Sequence, residues 1–227
     1  MGGSALIAIF PAFNSLDITG PIAVLFNSDF SITIAAKEEL TISQENITVK
    51  RTVSFQEAHQ NLSEYDILIV PGSRSRNILP YVQPENAQLM ELLDLVAEFA
   101  KPQHRPTKER TALSVCTGGY LLAVVGVLDG LTATTHRLAT KGLQTACEEY
   151  TTRTPGAKGT TILPENSSVP VSYYDAGVNE FGVRVITTGA VTNGIDATLH
   201  YVASRSGRSV AVEVAGFIGH NWREEKA

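Results

Sequence analysis

Four apolar or β-prone runs recur along the chain, and each gives way to a turn of polar and glycine residues. Ala5 to Phe10 is continuously apolar, Tyr65 to Val70 carries Ile-Leu-Ile-Val, Ala112 to Val115 is shorter, and Val183 to Thr188 is rich in β-branched residues. Runs without strict alternation suit parallel strands covered on both faces. The turns that follow them hold Asp17, then Gly72 and Ser73, then Cys116, then Thr192.

Helical patterns lie between these runs. Pro21 can open a helix over Ile22 to Phe26, because its missing N–H costs nothing in a first turn. Pro84 to Ala100 is amphipathic, with Leu89, Leu92, Leu93, Val96 and Phe99 at helical spacing. Leu121 to Val125 begins a helical face after Cys116, and helices are also expected at 141–150, Ile195 to Ser204 and Val210 to Ile218. Phe30 to Ala36 alternates as a strand, and Thr41 to Ile42 with Ile47 to Val53 can form a β-ribbon around Gln44-Glu45-Asn46, to which no chemistry is assigned. Thr151 to Asn179, rich in Thr, Pro, Gly and Ser, resolves only to a meander or hairpin. The proline-punctuated loop Lys101 to Arg110 is too short for an interdomain linker, and no repeat is visible. Strands alternating with helices imply an α/β fold with a mostly parallel sheet, as one domain over residues 1–227.

Composition narrows the class. With 227 residues, 43% hydrophobic and 18% charged, the chain can bury a substantial core, and a formal net charge of -5 with scattered Lys and Arg argues against a nucleic-acid surface. Nothing approaches a transmembrane helix, and the first apolar run lacks a basic leader and stops at Pro11. Two cysteines, Cys116 and Cys147, make neither a disulfide framework nor a metal cluster, so a reducing, cytoplasmic setting without a metal is expected.

The chemistry gathers at the turns. Cys116 falls where a β-prone run becomes a helix, so its side chain leaves the carboxyl edge of a sheet beside unpaired helix-terminal amides that favour a thiolate. A lone cysteine in an apolar run is more often core than catalyst. Gly118 and Gly119 suit a tight turn and close approach by a ligand. Asp17 sits between a strand and a helix at the same edge, where ligands of open α/β sheets bind; capping by Asp17 or Thr19 is the plainer alternative. Arg74 and Arg76 could grip an anionic substrate or simply be solvated. His136 could approach Cys116 or serve as a hydrogen-bonded structural histidine. Cys147, on a helix, lacks the strand-turn setting.

Five stretches in order carry a resemblance: Leu16-Asp17-Ile-Thr-Gly20-Pro21, Val70-Pro71-Gly72, Ser114-Val-Cys116-Thr117-Gly118, Ala133-Thr-Thr-His136 and Thr192-Asn-Gly194-Ile-Asp196. Together they are similar to the ThiJ/PfpI superfamily over nearly the whole chain. The Asp in the first stretch and the Thr after the cysteine look most like its isonitrile hydratases. The resemblance implies a flavodoxin-like three-layer sandwich, a homodimer, a small-molecule substrate and no cofactor. It also implies that Cys116 is the nucleophile, Asp17 the acid/base and Thr117 a neighbour that positions substrate or water. Gly72 and the Thr117 amide would form an oxyanion pocket, with Ser73, Gly118, His136 and Thr192 around the substrate.

Three features depart from that pattern. Ser73 stands where many relatives have a second glycine, Arg137 where isonitrile hydratases tend to carry tryptophan, and Thr151 to Asn179 looks longer than in the bacterial enzymes. Thr117 in place of histidine after the cysteine discounts the superfamily's peptidase activity. The activity implied is hydration of an isonitrile to an N-substituted formamide through a cysteine thioimidate. The alternatives are a glutathione-independent glyoxalase acting on 2-oxoaldehydes, whose acid is normally glutamate, and a redox-sensing or chaperone-like member without turnover. The ligand-sensing half of AraC-type regulators is also similar, but no helix-turn-helix region follows here.

Overall fold

The apolar runs that lack alternation lie in the middle of a seven-stranded sheet, where both faces are covered. In chain order the computed structural model contains β1 (Ser4–Ala8), α1 (Leu16–Phe26), β2 (Ser31–Ala36), β3 (Leu40–Ile42), β4 (Thr48–Lys50), β5 (Val53–Ser54), α2 (Phe55–Gln60), β6 (Ile67–Val70), α3 (Met90–Phe99) and β7 (Arg110–Ser114). There follow α4 (Gly119–Val124), β8 (Thr132–Ala133), α5 (Thr140–Arg153), β9 (Thr161–Ile162), β10 (Tyr173–Val178), β11 (Val183–Thr188), α6 (Asn193–Ser206) and α7 (Arg208–Phe217). The structure describes residues 2–74, 78, 90–101, 109–163 and 171–224. Arg76, the first turns of the helix expected from Pro84, and most of the Lys101 to Arg110 loop lie outside them.

The sheet runs β10-β11-β7-β6-β1-β2-β5, parallel throughout except for the antiparallel edge strand β10. Leu6, Ile7, Leu68 and Ile69 in the central strands are fully buried, and each such side chain contributes about 1.5–3 kcal/mol through burial. Helix α1 packs on α6 and α6 on α7, while α2, α3, α4 and α5 pack in series, so helices flank the sheet as the α/β pattern requires. From β1 the chain passes first to β2 on one side and later to β6 on the other. That reversal makes a crevice at the carboxyl ends of β1 and β6, the place where such sheets bind ligands.

Three local expectations change. Helix α1 starts at Leu16, six residues before the expected Ile22, and Pro21 lies inside it. Pro21 cannot donate to the Asp17 carbonyl, but the helix start is held elsewhere: Asn14 Oδ1 accepts from the amides of Leu16 (3.0 Å) and Asp17 (3.3 Å). The β-ribbon forms as β3 and β4, but Val53 leaves it to pair with Ala35 at the sheet edge. Within Thr151 to Asn179, α5 continues to Arg153, Thr161–Ile162 pairs parallel with Thr132–Ala133, and Tyr173–Val178 becomes the edge strand. The tail folds back on α6, where buried Asp196 Oδ1 meets His220 Nε2 at 2.7 Å and the Arg223 amide at 3.0 Å.

Candidate functional site

The carboxyl ends of β1, β6 and β7 bring Asp17, Gly72, Ser73, Cys116 and Thr117 together. Cys116 has φ of 55°, the left-handed region that a side chain enters at a cost of about 1–3 kcal/mol. Long-range partners hold it there. Its amide donates to Thr188 Oγ1 at the end of β11 (3.1 Å), and its carbonyl accepts from Thr135 Oγ1 (2.9 Å). A short 3₁₀ turn, Cys116–Gly118, then leads into α4.

Asp17 is completely buried in the first turn of α1. Its Oδ2 accepts the Gly72 amide at 2.8 Å, and its Oδ1 has no hydrogen-bond partner among the described residues. The capping alternative fails, because Asn14 does the capping and the Thr19 hydroxyl donates back to the Ser15 carbonyl. Burial, against the weaker pull of the Gly72 amide, pushes the Asp17 carboxyl up to about 7. Burial and then the Asp17 charge push the Cys116 thiol up to about 12. The Thr117 amide favours the thiolate but is outweighed. The helix terminus is expected to lower the thiol; at 8% exposure burial opposes it and is the largest influence on this group.

Gly72 is required by close approach, since a Cβ there would lie 2.6 Å from both the Thr117 amide nitrogen and Oγ1. Its own N–H serves Asp17. The Thr117 hydroxyl accepts from the Ser73 amide (2.8 Å) and donates to the Ser73 carbonyl (2.5 Å), so its one hydrogen is committed and the elbow is clasped to the turn after β6. Ser73, at the departure from the glycine of relatives, ties that turn to the first loop by donating to the Ala12 carbonyl at 2.5 Å. Gly118 faces protein: a Cβ there would meet the Val70 carbonyl oxygen at 2.3 Å, so this glycine serves packing of the elbow on β6.

A cavity of about 270 Å³ opens over the sulfur, lined by Asn14, Gln44, Ser73, Arg74, Cys116, Thr117, together with His136, Leu138 and Val191. His136 therefore does reach the site. Its Nδ1 accepts the Leu138 amide at 3.3 Å, and burial with the neighbouring Arg137 charge lowers its pKa. Arg137 is exposed. Thr192 is exposed at the N-terminal end of α6, and Val191 beside it lines the cavity. Cys147 is buried in α5 beside Thr160, and burial raises its thiol too. Asn14, Thr135 and Thr188 were not singled out by the sequence, and neither were Gln44 and Glu45. A Thr-Thr pair at a strand end was the available signal for Thr188. Among the described residues no group of His, Cys, Asp and Glu could hold a metal.

The DJ-1/PfpI family profile matches residues 3–166. A curated relative, isonitrile hydratase of Pseudomonas putida, is 29% identical over 130 residues, covering 56% of this chain and 50% of the relative, so the chain spans about half the length of the curated relative it matches. Drosophila melanogaster DJ-1beta superposes with a TM-score of 0.68 at 16% identity, covering 98% of this chain and 100% of that one. A THiJ/PfpI family protein from Pseudomonas syringae gives 0.70 at 19% identity, covering 100% and 78%. At these identities the structures show the flavodoxin-like fold.

Proposed function

The chain belongs to the DJ-1/PfpI family, and from that premise we propose that it adds water to an isonitrile, R–N≡C, to give the N-substituted formamide. The observation that carries the reading is Asp17. A fully buried carboxyl that titrates near neutrality, fixed through one oxygen and unpartnered at the other, is suited to moving a proton beside the only cysteine on the cavity wall.

With the thiol at about 12, a free thiolate is rare at neutral pH, so proton removal and attack go together. The ionised fraction of Asp17 takes the Cys116 proton as the sulfur bonds to the terminal carbon. Asp17, now the acid, delivers that proton to the same carbon, giving the thioimidate R–N=CH–S–Cys116. Water then adds to this carbon, with Asp17 taking a proton from the water and a proton passing to nitrogen. The C–S bond of R–NH–CH(OH)–S–Cys116 breaks to release R–NH–CHO, and the hydroxyl proton returns through Asp17 to sulfur. Atoms balance without a cofactor. Thr117 and Ser73 keep the elbow and the Gly72 turn in register, while Leu138 and Val191 offer apolar wall for R.

Family members are often dimeric and use small-molecule substrates, and the proposal extends both properties to this chain. It also places the protein in a reducing compartment, the cytoplasm, in keeping with two free cysteines. No helix among the described residues is long and apolar enough to cross a membrane. Incubation with an aryl isonitrile and, separately, with methylglyoxal tests the reading: it expects formamide from the first. Hydroxyacid from methylglyoxal with no formamide would replace it by the glyoxalase reading.

A further inference from the structure

The β3–β4 hairpin reaches across the site, although nothing in the reaction uses it directly. Its strands are anchored to the first loop: the Ala12 amide donates to the Ile42 carbonyl (2.8 Å), and the Gln44 amide donates to the Phe13 carbonyl (2.9 Å). At the tip, Glu45 Oε2 accepts the Ser15 amide at the start of α1 (2.9 Å), and Gln44 Oε1 accepts the Arg74 amide (3.1 Å). Ser43 Oγ, accepting from the amides of Glu45 (3.2 Å) and Ile47 (3.1 Å), fixes the turn that presents both side chains. Two neighbouring residues thus tie together the segments that place Asp17: the start of α1, which carries it, and the Gly72 to Arg74 turn, which supplies its hydrogen bond.

We infer that Glu45 is a positioning residue for the reaction, holding the start of α1, and with it the Asp17 carboxyl, against the turn after β6 and placing a negative charge beside that carboxyl. This rests on reading Asp17 as the acid/base. The ionisable groups on the elements around Asp17 include Cys116 on the elbow, Arg74 after β6, His136 after β8, Asp196, His200 and Arg205 in α6, Lys50 on β4, and Glu45. Of these, Glu45 favours the protonated form of Asp17, and the Asp17 charge in turn acts on Cys116. Glu45 is exposed; desolvation raises its carboxyl, but hydrogen bonds with Ser15, Gln44 and Ser43 together outweigh that and lower it.

The test compares wild type, Glu45→Gln and Glu45→Ala as the full chain. Asp17 is titrated by carboxyl-carbon NMR, its resonance assigned from Asp17→Asn, and the pH dependence of isonitrile hydration is followed in parallel. Glutamine keeps an oxygen for the Ser15 amide but removes the charge. In Glu45→Gln the Asp17 titration should therefore fall by a few tenths of a pH unit, the scale expected of a largely exposed charge, and narrow towards wild type in 1 M salt. The acid limb of turnover should move with it, and Glu45→Ala should lose at least about tenfold in kcat that Glu45→Gln retains. Asp17 titrating at one pH in all three proteins would overturn the inference. If wild type hydrates no isonitrile but the Asp17 titration still moves, the inference stands and the proposed substrate falls.

Discussion

Replacing Asp17 by Asn should make the protein more stable as the pH rises, relative to wild type, while removing its activity. In the folded protein the carboxyl titrates at about 7 rather than 3.8. The folded state therefore binds this proton more tightly than the unfolded chain, and wild-type stability falls as pH climbs from about 4 to about 7, then levels off. A rise of about 3 pH units, at about 1.4 kcal/mol each, corresponds to about 4 kcal/mol in all, of which about 2.5 kcal/mol falls between pH 5 and pH 8. Asparagine carries no such term. Its amide, set where Oδ1 has no partner among the described residues, costs about 1–3 kcal/mol at every pH. The difference between the proteins should therefore move by about 2.5 kcal/mol in favour of Asp17→Asn from pH 5 to pH 8, or about 5–10 °C in melting temperature for a chain of this size. Urea or thermal unfolding of both proteins at the two pH values measures it, since other carboxyls titrate equally in each. The same stability difference at pH 5 and pH 8 would refute the buried, near-neutral carboxyl.

Other outcomes follow from the same geometry. Cys116→Ser should abolish turnover with folding retained, whereas Cys147→Ser, away from the cavity, should keep most activity; formamide assays on both check this. Thr188→Val removes the acceptor for the Cys116 amide and should cost about 1–3 kcal/mol in urea unfolding with a larger loss of kcat than of KM.

The sequence carried the sheet better than the site. Ala5 to Phe10 and Ile67 to Val70 are legible because a strand covered on both faces shows as an unbroken apolar run. Cys116 at a strand end was legible for the same reason, through the change from β-prone to helical spacing. The start of α1 was not, because Pro21 reads as a first-turn residue and the capping comes from Asn14, outside the expected helix. For Cys116 the local sequence displays a helix terminus but not the burial that opposes it. Contacts such as Cys116 to Thr188, 72 residues apart, and Ser15 to Glu45, 30 apart, arise only when strands and hairpin assemble.

The central claim is that Cys116 adds to an isonitrile carbon with Asp17 carrying the proton. Intact-protein and peptide mass spectrometry after rapid acid quench, with an aryl isonitrile in single turnover, tests it most directly. The account predicts a transient adduct of the full isonitrile mass on the Cys116 peptide in wild type, decaying as the formamide appears, and absent from Cys116→Ser. Formamide produced at wild-type rate by Cys116→Ser would contradict it.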